Sequence, residues 1–115
     1  MLVDQSASLL LYMAPEVIQT MMRTITPASE VWSMGVTLFV LTTGSYPFTN
    51  LSSICEANLV WPRATPLSRE FKAMVESMLT SDEELRPSMN DVVNSTWFEK
   101  FRRDASSEER TGADF

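Results

Sequence analysis

The sequence predicts an all-helical fold, and three observations carry that reading. Apolar residues recur at the helical interval in Phe71, Met74, Val75, Met78 and Leu79, spaced i, i+3, i+4, i+7 and i+8. Start and stop signals flank the longest apolar stretch, Thr26-Pro27 before it and Gly44 and Pro47 after it. No segment alternates apolar and polar residues as a half-buried strand would, and no internal repeat is present. With 115 residues, the chain holds one domain at most.

Each element follows from local chemistry. Pro15 suits the first position of a short helix, with Glu16 placed against its positive end and Val17, Ile18, Met21 and Met22 as its apolar residues. Thr26 caps the next helix, Pro27 opens it, and Glu30 sits in its first turn. From Val31 to Leu41 (VWSMGVTLFVL) apolar residues occupy every side, which predicts a helix facing protein all round. That run covers only ~16 Å at 1.5 Å per residue, against about 30 Å of bilayer hydrocarbon, so it is a core helix and not a membrane span. Gly44 supplies the left-handed stop and Pro47 prevents resumption.

Asn50 caps a short helix through Ala57, and Trp61-Pro62 reads as an extended link. Ser68 caps the strongly periodic helix, whose Arg69, Glu70, Lys72 and Glu76 point mostly to solvent. After the loop TSDEELRP, Ser88 and Asp91 form a capping-box variant that opens a last helix. Met89, Val92, Val93 and Thr96 give that helix its face, and it ends at Trp97, Phe98 and Phe101. The remainder, RRDASSEERTGADF, is polar and charged, and is expected to be a disordered tail over 102–115.

Composition excludes several function classes. A net charge of −6 argues against nucleic-acid and anionic-membrane surfaces, which need clustered Lys and Arg. A single cysteine, Cys55, cannot form an internal disulfide, which points to a reducing cytoplasmic or nuclear setting, and it is expected to act as a small packing residue. The absence of His removes the commonest general base and metal ligand. Residues 1–3 lack a basic leader, and Asp4 interrupts any apolar signal region.

Three ordered blocks then resemble the C-terminal lobe of a eukaryotic-type protein kinase. Tyr12-Met13-Ala14-Pro15-Glu16 is similar to the family's APE motif. Glu30-Val31-Trp32-Ser33-Met34-Gly35-Val36, followed by Thr43-Gly44-Ser45-Tyr46-Pro47-Phe48, resembles the D-x-W-S-x-G helix and the T-G-x-x-P-F turn behind it. Met78-Leu79, Arg86-Pro87-Ser88 and Trp97-Phe98 resemble the M-L-x-x-D-P-x-x-R-P-S stretch and its aromatic ending. Together they cover about three quarters of the chain. The wording is nearest to calcium/calmodulin-dependent and SNF1-like Ser/Thr kinases. The resemblance divides the chain into an activation-segment remnant (1–11), a partial lobe (12–101) and the polar tail (102–115).

The resemblance implies a buried ion pair between Glu16 and Arg86, 70 residues apart in sequence, where the alternative is two surface charges that never meet. It names Glu30, Trp32 and Gly35 as anchors of the central helix. Glu30 stands where the family has an aspartate that holds the catalytic loop. One methylene longer, it reads here as a favourable first-turn acid. Leu9, Leu10, Leu11 and Tyr12 occupy the family's G-T-x-x-Y region, where they would line a substrate groove or simply pack. Leu9 cannot donate the hydrogen bond of the family's threonine. Ser6 and Ser8 are conceivable phosphorylation sites in the same remnant.

The resemblance implies ATP and Mg²⁺ for the family, yet this chain offers no catalytic, cofactor-binding or metal residues for them. Phosphoryl transfer needs a Gly-rich loop, an anchoring lysine, H-R-D and a metal-binding D-F-G. The glycines are far apart (Gly35, Gly44, Gly112), the lysines (Lys72, Lys100) follow the APE block, and H-R-D is impossible without His. Arg103-Asp104 and Asp114-Phe115 are fragments of such motifs out of order. Two functions remain open: an inactive piece of a Ser/Thr kinase domain, or a non-catalytic, pseudokinase-like interaction module. Either way, a central helix short of its neighbours would expose a contiguous apolar patch, so a protein partner or the remainder of the domain is expected to cover it.

Overall fold

The computed structural model describes residues 10–20, 25–63 and 65–107, and places six helices among them with no strand. They are α1 (Pro15–Gln19), α2 (Pro27–Thr43), α3 (Leu51–Glu56), α4 (Arg69–Met78), α5 (Met89–Val93) and α6 (Thr96–Ser107). The all-helical class predicted from periodicity is the class observed.

Local capping sets where the chain turns into helix. At α2 the Thr26 hydroxyl accepts from the Ser29 N–H (3.2 Å) and the Ser29 hydroxyl accepts from the Thr26 N–H (2.9 Å). Reciprocal boxes of the same kind open α3 through Asn50 and Ser53, and α5 through Ser88 and Asp91. Ser68 caps α4 by accepting from the Phe71 N–H at 3.1 Å. Each box satisfies two backbone donors that a helix start otherwise leaves unpaired. Gly44 ends α2 with φ 76°, a left-handed conformation that glycine adopts without a Cβ penalty.

α2 is the axis of packing. It lies mainly against α4 and also against α5, while α6 closes over α4 and α5. Val31, Trp32, Val36 and Phe39 of α2 meet Phe71, Met74, Val75 and Met78 of α4 in one buried cluster, with Phe48, Ile54, Leu79 and Val92 completing it. Burying each large side chain of this set contributes about 1.5–3 kcal/mol. Gly35 lets α2 and α4 approach closely. A Cβ built there would lie 3.0 Å from Met78 Cβ and 3.0 Å from Leu79 Cδ2. The link after α3 is pinned by Trp61, whose ring sits 4.7 Å from Phe39 and whose indole N–H donates to Glu76 Oε2 at 2.8 Å.

Four expectations need correction. The single last helix is two, α5 and α6, because Asn94 closes α5 and the chain re-enters helix with the Glu99 N–H donating to the Ser95 carbonyl. The polar stretch from 102 is not tail throughout, since α6 continues to Ser107. There Trp97 stacks on Phe101 at 5.3 Å, and Arg102 donates to the Val93 carbonyl at 2.9 Å, so an aromatic root carries polar residues in helical conformation. Of the face assigned to α5 only Val92 is buried, with Met89 and Val93 exposed. Cys55 is exposed rather than packed, because α3 points Ile54 into the core and the next residue lies about 100° round the helix.

Candidate functional site

Glu16 and Arg86 are brought together by structure at both ends. Pro15 and the first turn of α1 fix Glu16, and the turn after α4, with the Arg86 N–H donating to the Asp82 carbonyl at 3.1 Å, brings Arg86 back under α1. Arg86 Nη1 donates to Glu16 Oε2 at 2.7 Å and Nη2 to Oε1 at 2.8 Å, a two-pronged pair. The other N–H groups are also used. Nε donates to the Thr80 carbonyl (2.8 Å), Nη1 to the Ala28 carbonyl (3.0 Å) and Nη2 to the Ser81 carbonyl (3.2 Å). A guanidinium carries five N–H donors, and all five have acceptors here.

The guanidinium carbon also lies 5.2 Å from the centre of the Trp32 ring, within range of a cation–π contact. Trp32 is fully buried and stacks on Phe48 at 5.6 Å. Its indole N–H is buried and meets no protein acceptor among the described residues. One arginine therefore ties α1, the start of α2, the loop at Thr80–Ser81 and the central tryptophan. The Arg86 side chain is wholly buried and that of Glu16 is 16% exposed. Burial on its own would raise the Glu16 carboxyl, but hydrogen bonds from Arg86 and the backbone, together with the arginine's charge, outweigh it. They hold the group below its ordinary value.

The remaining predicted site residues separate into two groups. Gly35 sits on the contact between α2 and α4, below the clamp. Glu30 lies exposed in the first turn of α2, apart from the clamp, where its charge suits the positive end of the helix. Leu10, Leu11 and Tyr12 are half-buried, with Leu11 and Tyr12 packed against the core. Leu9 lies outside the described residues, as do Ser6, Ser8, Met21, Met22, Gly112 and Asp114-Phe115. Arg103-Asp104 falls within α6.

Three features escaped sequence reasoning. The Tyr12 ring meets Tyr46 edge-on at 5.6 Å, and the Ser33 hydroxyl donates to the Tyr12 carbonyl at 2.7 Å. Nothing in spacing announces either, although Ser33 is the one hydroxyl inside the D-x-W-S-x-G-like block. At the far end of α2, Leu38 and Leu41 line an apolar cavity of about 390 Å³ with Pro66, Leu67, Phe71 and Trp97.

No group of three His, Cys, Asp or Glu side chains among the described residues could hold a metal. Lys72 lies in α4 with its ammonium 5.8 Å from the Trp61 ring, and Lys100 in α6 reaches Glu70 at 3.9 Å. Nor is any helix among the described residues long and apolar enough to cross a membrane.

The sequence matches the family profile described as Protein kinase domain over residues 4–98. It is 34% identical over 96 residues to the ovarian-specific serine/threonine-protein kinase Lok of Drosophila melanogaster, covering 76% of this chain and 20% of that protein. It is 37% identical over 95 residues to CBL-interacting protein kinase 11 of Oryza sativa subsp. japonica, covering 77% and 18%. With the Aurora kinase of Dictyostelium discoideum it shares 30% over 103 residues, covering 84% and 26%. The chain spans about a quarter or less of the length of the curated relatives it matches.

Proposed function

This chain belongs to the protein kinase family, and from that premise we propose that it supplies the structural and peptide-facing part of a Ser/Thr kinase catalytic domain and transfers no phosphate by itself. The observation that carries this reading is the Glu16–Arg86 clamp, formed between the APE-like and R-P-like blocks with both prongs at hydrogen-bond length. It supports the assignment because it is a geometric consequence of two motifs that sequence order alone leaves unconnected.

Inactivity of these 115 residues is supported by what phosphoryl transfer demands. The γ-phosphoryl group needs a glycine loop, a lysine and metal-bound carboxylates around it, with a base for the hydroxyl nucleophile. There is no His for H-R-D, and both lysines are on helix surfaces facing other partners. The remainder of a kinase domain is the proposed partner, covering the end of α2 where Leu41 stands 75% exposed. ATP with Mg²⁺ would be held by that remainder.

Titration of the chain with a fluorescent ATP analogue in the presence of Mg²⁺ tests the proposal. No saturable binding is expected, and saturation at micromolar analogue would overturn it. A non-catalytic interaction module is the second reading, favoured by the apolar cavity beside Leu38 and Leu41. It gains over the first if the chain folds alone and holds a protein partner outside any kinase domain.

A further inference from the structure

A hydroxyl inside a helix has a default acceptor, the carbonyl three or four residues before it. The hydroxyls of α2 follow that rule in the main. Thr37 donates to the Ser33 carbonyl at 2.9 Å, Thr42 to the Leu38 carbonyl at 2.8 Å and Thr43 to the Phe39 carbonyl at 2.7 Å, while Ser29 donates back to the Thr26 carbonyl at 2.8 Å. Ser33 does not. Its hydroxyl leaves the helix and donates to the carbonyl of Tyr12, 21 residues away, at 2.7 Å.

The target of that bond is a turn with a hydrogen bond of its own. The Met13 N–H donates to the Leu10 carbonyl at 3.1 Å, and the Tyr12 ring rests edge-on against Tyr46. The clamp at Glu16 fixes α1 only from Pro15 onward, and Ala14 between them is extended (φ −68°, ψ 154°). The turn is thus held by contacts separate from the clamp: the polar tether from Ser33, the aromatic contact with Tyr46, and packing of Leu11, Tyr12 and Met13 against the core. A serine at 33 also costs helix propensity relative to alanine, so its local effect on α2 runs opposite to its effect on the turn.

We infer that Ser33 is a positioning residue, whose hydroxyl fixes the height and orientation of the Leu10–Met13 turn on α2 independently of the Glu16–Arg86 clamp. The turn's place beside a peptide substrate rests on the proposed function. The positioning itself rests only on the contacts above.

Hydrogen exchange at the Met13 amide tests it on the full chain, with the Gly44 and Leu79 amides as internal references. They donate to the Val40 and Val75 carbonyls and report opening of the helices. Ser33→Ala is expected to speed Met13 exchange about tenfold, the fold-change of one ordinary hydrogen bond, and to leave Gly44 and Leu79 unchanged. Ser33→Thr, which keeps the hydroxyl, is expected to retain the slow rate at Met13. Unchanged exchange at Met13 in Ser33→Ala, equal acceleration at all three amides, or fast Met13 exchange in Ser33→Thr would each overturn the inference. None of these outcomes depends on ATP binding, so failure here is distinguishable from failure of the kinase reading.

Discussion

The two ends of α2 share one apolar sequence and differ in how they are closed. Near the start, Trp32 is wholly buried between Phe48 and the guanidinium of Arg86. Near the end, Leu41 is 75% exposed and Leu38 borders an apolar cavity. Apolar character alone therefore does not bury a helix; neighbours do. The first end is finished because a polar group with fixed geometry gathers three other segments around it, whereas at the second the link at Pro66–Leu67, the start of α4 at Phe71 and Trp97 of α6 leave a cavity between them.

Removing the gathering group should break the contrast most severely. Arg86→Ala strands the Glu16 carboxylate and opens the face of Trp32, and a loss of about 3–5 kcal/mol is expected from breaking one side of a buried pair. Urea unfolding at neutral pH measures it. A loss below roughly 1 kcal/mol, the range of exposed pairs, would mean that the pair behaves as a surface contact.

Glu16→Gln keeps the shape and removes the charge, with an expected loss of about 1.5–3 kcal/mol, the range for hydrogen bonds to charged groups. The pH dependence follows from the lowered Glu16 pKa. The folded state binds this proton less readily than the unfolded state, so the carboxylate's contribution is present above the unfolded value of about 4.3 and is lost as pH falls through the folded one. The stability gap between wild type and Glu16→Gln should accordingly be full at neutral pH and close in acid. A gap that is constant down to about pH 2 would remove the charge from the account.

Between the two ends, Gly35→Ala sharpens the comparison. Helix propensity favours alanine by about 1 kcal/mol, but the new methyl would sit 3.0 Å from Met78 Cβ, an atom held by the backbone of α4. Overpacking costs about 1–3 kcal/mol, so a net loss is expected in the unfolding midpoint. At the open end Leu41→Ser should change folding stability by no more than about 0.5 kcal/mol. It should also lower the binding of an apolar-surface dye and any concentration-dependent association. A larger loss would show that Leu41 is covered in solution.

Much of this fold was legible because it is written locally. Asn50, Ser68 and Ser88 are caps whose partners lie three residues away, and the spacing from Phe71 to Leu79 states its own buried face. The clamp was legible only through resemblance, since no local rule connects residues 70 apart. Cys55 was misjudged because the phase of a six-residue helix is set by its cap and its single core residue, Ile54, and not by composition. Residues 102–107 were misjudged because polarity counts overlook the aromatic root that orders them. The Ser33–Tyr12 bond was illegible in principle: a helical serine has an acceptor in its own backbone, and only the assembled fold reveals that it is not used.

Arg86 meets five acceptors with five N–H groups, and this saturation has a chemical corollary. The residue has no spare N–H donor to offer a phosphate, a sulfate or an acidic group, although its positive charge is buried beside the core. Lysine, with three donors on a point charge, could not complete the same set. An anion bound to this protein would have to be held by donors other than those of Arg86.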